Sequence, residues 1–120
     1  MRALKVVAAV IPALVLAPGV NAQKVEPPQD LINEGYLTYG TAATFAPFEF
    51  QKDGELVGFD IEMGAKLAEY MGLEVEVLST EFKGLIPAIK GGRIDIINSA
   101  MYMTDERDQE VDFVPYMKIG

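Results

Sequence analysis

Between Tyr36 and Val111 the chain switches its hydrophobic rhythm several times, and that alternation restricts its architecture more than any other feature. Tyr36 to Thr41 alternates as a strand does. Ile61, Gly64, Ala65, Ala68 and Met71 then recur at helical spacing, with Glu62, Lys66 and Glu69 on the other face. Asp60 is read as this helix's N-cap and Gly72 as its C-cap. Leu73 to Ser79 returns to period two, with Leu73, Val75 and Val77 directed inward. Gly84 to Lys90 predicts a short helix with Pro87 near its first turn and Gly91-Gly92 closing it. A strand over Ile94 to Ile97, a polar loop and a helix from Thr104 to about Val111 complete the series. Between the first strand and the long helix, Ala46-Pro47 makes Phe45 to Phe50 extended or turning, and Lys52-Asp53-Gly54 turns into a short strand, Glu55 to Gly58. Strands separated by helices predict an α/β fold, with βαβ crossovers and a parallel sheet flanked by helices.

In such sheets ligands gather at the carboxyl ends of the strands. The loops Ala42 to Pro47 and Asn98 to Thr104 would share that edge, and Phe45 and Phe82 would either project over a crevice there or serve as core packing or a loop lid. Thr104 reads as an N-cap followed by Asp105 and Glu106 in the first turn, which sets Arg107 about three positions inside the helix. Unpaired N–H groups and a planar guanidinium together suit a carboxylate. A solvated arginine paired with Glu106, Asp108 or Glu110 is the competing reading.

The N-terminus carries Arg2 and Lys5, an apolar run from Val6 to Leu16, and the small-residue ending Val20-Asn21-Ala22. These are the parts of a secretory signal peptide over residues 1–22, and the run is too short, and too interrupted by Pro12 and Pro18, to span a bilayer. With no cysteine in the chain there is neither a disulfide nor a thiol for lipid attachment, so a soluble periplasmic protein without a lipid anchor is expected. Cleavage would remove two of the ten basic residues and none of the eighteen acidic ones, leaving a net charge of −10. Nucleic acid and anionic membranes are poor partners for that surface. Without histidine or cysteine, and with carboxylates off calcium-loop spacing, no metal site is expected, and no cofactor either. Residues 23–35, polar and proline-bearing, are expected to form a flexible mature N-terminus.

The ordered motifs resemble a known family. Gly40-Thr41-Ala42-Ala43-Thr44-Phe45-Ala46-Pro47-Phe48-Glu49-Phe50, Gly54 to Ile61, Phe82 to Ile89, Gly92-Arg93-Ile94-Asp95, Thr104 to Arg107, and Asp112-Phe113 before Pro115-Tyr116 are similar, in order, to the family 3 bacterial extracellular solute-binding proteins. The resemblance implies a periplasmic binding protein type II-like fold of two lobes that close over an amino acid and deliver it to the permease of an ABC importer. Residues 36–120 would be the N-terminal portion of lobe 1, an incomplete first lobe without the second. It further implies that Arg107 holds the α-carboxylate, helped by backbone N–H groups from Ala100 to Tyr102. Ser99 would meet the ammonium, and Phe45 and Phe82 would flank the ligand's side chain. A zwitterion in a closing cleft needs both charges met, because an unpaired buried charge costs several kcal/mol.

Two positions depart from the family pattern. Ala42 stands where relatives that bind basic amino acids often carry an aspartate, which disfavours a cationic side chain. Tyr102 replaces a small serine or threonine, which would narrow the pocket or add a phenolic hydrogen bond. A monomeric binding protein is expected, not an enzyme. The alternatives are an inactive truncated fragment, or an enzyme on this scaffold that dehydrates cyclic acids or cleaves glycan. With half a cleft, the 120-residue chain alone is expected to bind no amino acid measurably.

Overall fold

The computed structural model describes residues 24–119. The predicted signal peptide lies outside the described residues. The described residues form two three-stranded sheets. The main one has the order β5-β1-β6, from β1 (Tyr36–Thr41), β5 (Glu74–Ser79) and β6 (Ile96–Ile97), all parallel. β1 is central because it alone is buried along its length, Leu37 to Thr41 all lying inside. Its register runs from Tyr36 opposite Glu74 to Thr41 opposite Ser79.

The second sheet is a small antiparallel unit of β2 (Thr44–Phe45), β3 (Glu49–Lys52) and β4 (Glu55–Val57). The β3–β4 hairpin turns through Asp53 and Gly54, both at positive φ (51° and 79°), the two-residue geometry that matches strand twist. The Ala46-Pro47 bond is cis.

Helices cover both faces of the main sheet, as α1 (Phe59–Tyr70) and α2 (Leu85–Lys90) show through their contacts with neighbouring residues of β1. Gly64 of α1 sits so close to Tyr39 that a Cβ would stand 2.8 Å from its ring. A Cβ on Gly40, which points the other way, would meet Ile94 at 2.8 Å and Leu85 of α2 at 3.0 Å. The core is therefore split by β1, with Tyr39 and Ala68 on one side and Leu85, Ala88 and Ile94 on the other. A 3₁₀ turn (Phe82–Gly84) leads into α2, and the last helix, α3, is a single turn (Asp105–Asp108).

Three expectations change. Asp60 is not the N-cap of α1: Gly58 holds that position without a side-chain bond, and Asp60 lies fully buried in the first turn. The final helix is four residues long, because acidic residues crowd both ends of a segment whose C-terminal carbonyls favour cations. Val77, read as inward-facing, is exposed, since among the described residues that stretch of β5 has no cover. Residues 24–35 run along α1 and the sheet: Lys24 and Val25 donate backbone bonds to Tyr70 O at 2.8 and 2.9 Å, and Ile32 N donates to Asp95 Oδ1.

Candidate functional site

Because β1, β5 and β6 run parallel, the loops after Thr41, Ser79 and Ile97 emerge on one edge. Phe45 stands after the first, Phe82 after the second, and Ser99, Ala100 and Tyr102 after the third. Thr104 caps α3 as the sequence indicates, its hydroxyl accepting from Arg107 N at 3.1 Å. That bond fixes the root of the arginine side chain.

The guanidinium is braced at two points. Arg107 Nη1 donates to Tyr102 O at 2.9 Å, and Arg107 Cζ sits 5.2 Å from the centre of the Phe82 ring. Among the described residues Arg107 is in no ion pair, and Glu110, one of its possible partners, is bonded to Lys90 instead. The solvated ion-pair reading is thus not what the geometry shows. Remaining N–H donors of Arg107 are left for an anion. The contribution of the helix dipole is small, since α3 is one turn.

Ser99 is 2% exposed and turned inward. Its Oγ accepts from Ala42 N at 2.9 Å and donates to Glu49 Oε1 at 3.1 Å. Only its backbone remains for a ligand. Ala100 adopts positive φ (48°). The Tyr102 side chain is exposed, with its carbonyl serving Arg107. Direct contact therefore joins Arg107, Phe82 and Tyr102. Phe45 belongs to a different group, 5.2 Å from Phe48, whose ring meets Phe59 edge-on at 6.4 Å, and Phe59 stacks on Tyr116 at 6.1 Å.

A groove of about 770 Å³ lies beside the open edge of β6, lined by Ile89, Ile97, Val111 and Phe113 among others. It shares Ser99 and Ala100 with the predicted set but not Arg107, Phe45 or Phe82.

Beneath the edge lies a cluster that sequence reasoning missed. Glu49 is 1% exposed and Asp60 fully buried, and Asp60 N donates to Phe48 O at 2.9 Å, which sets the two acidic residues side by side. Tyr116 Oη donates to Asp60 Oδ1 at 2.6 Å, and Asn98 Nδ2 donates to Asp60 O at 2.8 Å. Burial, then the bond to Asp60, push the Glu49 carboxyl up to about 8. Burial and the same aspartate raise Tyr116 above the usual phenol range. The sequence signal was Glu49 between Phe48 and Phe50 in a short strand, where an exposed glutamate had no reason to be flanked by rings.

A parallel sheet with helices on both faces, and its polar loops gathered at one edge, is part of a periplasmic binding-protein lobe of α/β type. The chain belongs to the bacterial extracellular solute-binding proteins, family 3, which it matches over residues 37–120. A probable histidine-binding protein from Campylobacter jejuni subsp. jejuni is 49% identical over 81 residues, 67% of this chain and 32% of that protein. Among solved structures, a single-site mutant of the arginine-bound form of domain 1 from TmArgBP is 40% identical with a TM-score of 0.69, over 72% of this chain and 68% of that one. An ancestral amino acid-binding protein described as a precursor of cyclohexadienyl dehydratase is 42% identical with a TM-score of 0.63, over 66% of this chain and 35% of that one. The chain spans about a third of the length of the curated relatives it matches.

Proposed function

We propose that this chain supplies the first-lobe recognition surface of the substrate-binding component of an ABC importer, capturing a small zwitterionic, amino-acid-like solute in the periplasm. The observation that carries it is Arg107: a guanidinium at the carboxyl edge of a parallel sheet, free of ion pairs among the described residues, held by Tyr102 O and the Phe82 ring. In this reading Arg107 takes the α-carboxylate with backbone N–H groups between Ala100 and Tyr102, and the Ser99 carbonyl, not its occupied hydroxyl, meets the ammonium. Phe82 and Phe45 flank the side chain from two loops. Residues 1–22 act as the signal peptide, residues 23–35 lead into the lobe at 36–120, and the protein works as a monomer, without a lipid anchor, beside an inner-membrane permease.

Ala42 leaves the first loop without a counter-charge, which favours a neutral ligand side chain. Similar proteins are named for arginine and histidine, so the ligand panel must include both. The crystallised domain 1 of TmArgBP is an arginine-bound form, which supports a lobe that holds its ligand without a second one and weakens the expectation that this chain alone binds nothing. Glu49 carries its proton near neutrality, as a catalytic acid would, but it is 1% exposed and faces Asp60 and Ser99, which favours binding over catalysis.

The test is titration of the chain with L-glutamine, L-histidine, L-arginine and L-argininamide, followed by amide NMR shifts so that weak binding registers. Free carboxylates should shift the Ala100–Arg107 amides, and the amide derivative should not. Arg107→Ala should lower affinity at least about tenfold, the scale of a lost charge-assisted bond. Equal binding of arginine and argininamide would overturn the assignment.

A further inference from the structure

Four buried side-chain oxygens lack a hydrogen-bond partner among the described residues, and two of them, Glu49 Oε2 and Asp60 Oδ2, belong to the neighbouring carboxyl groups of one cluster. Two ionised carboxylates would be acceptors only, each with one oxygen orphaned and with like charge beside it. Among the described residues no cation compensates: the ion pairs involve neither residue, and what acts on Glu49 is Asp60 from α1 and Ser99 from the loop after β6. The other titratable groups facing the pair are Tyr116, which donates to Asp60, and Tyr39 of β1, whose hydroxyl is pushed up by burial first and by the Asp60 charge after it.

We propose that Glu49 and Asp60 share one proton, and that Glu49 so held is a positioning residue for the ligand edge, tethering through Ser99 the loops that carry Phe45 and Tyr102. One proton makes one carboxyl a donor and the other its acceptor, which removes both orphans. Every group then has a use. Ala42 N–H donates to Ser99 Oγ, Ser99 donates to Glu49 Oε1, Tyr116 donates to Asp60 Oδ1, and Asn98 ties Asp60 O to β6. The relay crosses four segments of chain: the loop after β1, strand β3, the start of α1 and the loop after β6. Losing the proton would set two charges side by side at 1% and 0% exposure and drive the segments apart. The upward displacement of the Glu49 carboxyl agrees with this arrangement.

The ligand consequence rests on the binding reading above; the proton itself does not. The first measurement is therefore made without ligand, on the full chain carrying ¹³C-labelled glutamate carboxyls. One glutamate should titrate well above pH 6, and the ¹⁵N shift of the Ala42 amide should follow the same midpoint. Glu49→Gln, whose amide mimics the neutral acid, should remove that carboxyl signal and leave the Ala42 amide independent of pH. If every glutamate titrates below pH 6, or the wild-type Ala42 amide ignores pH, the proposal is wrong. The second measurement uses L-arginine, whose charge is constant from pH 5 to 8. Between pH 6 and 9 wild-type affinity should weaken at least fivefold more than that of Glu49→Gln, whose own change measures the titration of the ligand's α-ammonium. Affinity that requires Arg107 yet weakens no more in the wild type than in Glu49→Gln would overturn the positioning role alone. Absence of binding by L-glutamine, L-histidine and L-arginine alike would count against the binding reading and leave the carboxyl titration to decide the shared proton.

Discussion

At Gly58 a single backbone conformation holds the site's foundation together. Its φ of 128° is a region L side chains rarely adopt, and a Cβ there would stand 2.3 Å from Phe48 O. The close approach exists because Phe59 N and Asp60 N donate to Pro47 O and Phe48 O at 3.0 and 2.9 Å, seating α1 against the loop before β3. Gly58→Ala should lose roughly 3 kcal/mol in urea unfolding, since strain and collision add. Gly35→Ala, at φ 85° but in open space, should lose less. Single residues were unevenly legible. Thr104 and Arg107 could be read because a cap and its helix are neighbours in the chain. Asp60 was misread for the same local reason: its burial depends on Glu49, Asn98 and Tyr116, all at least eleven positions away.

The elements were legible where their signal is periodic. β1 has the bounds that alternation predicts, and α1 the spacing, with Gly72 at φ 67° just past its end. α3 was overestimated, and its brevity makes its cap important. Thr104→Ala should cost about 1 kcal/mol and free the Arg107 amide for faster hydrogen exchange. Because the same bond roots the arginine side chain, affinity for the proposed amino-acid ligand should fall with it. Unchanged exchange at Arg107 would show that the bond to Tyr102 O alone holds this turn.

Across the whole molecule, the buried carboxyl pair couples folding to pH. Glu49 ionises near 4.5 when unconstrained and at about 8 in the fold, so the folded state binds the extra proton between those values. Its contribution is fully present below pH 4.5 and is lost as pH rises to 8, with a slope of up to about 1.4 kcal/mol per unit. Urea unfolding at pH 5, 6.5 and 8 should show wild type losing stability relative to Glu49→Gln across that window. A constant difference would contradict the shared proton. By itself the sequence determined the α/β order, the one edge where the loops collect and the arginine that stands there, because periodicity, caps and parallel crossovers are set by near neighbours. Only the tertiary structure decided that Ser99 turns inward, that Arg107 leans on Phe82, and that Glu49 meets Asp60. Those contacts join segments far apart in the chain, and their energies come from burial, which no local pattern encodes.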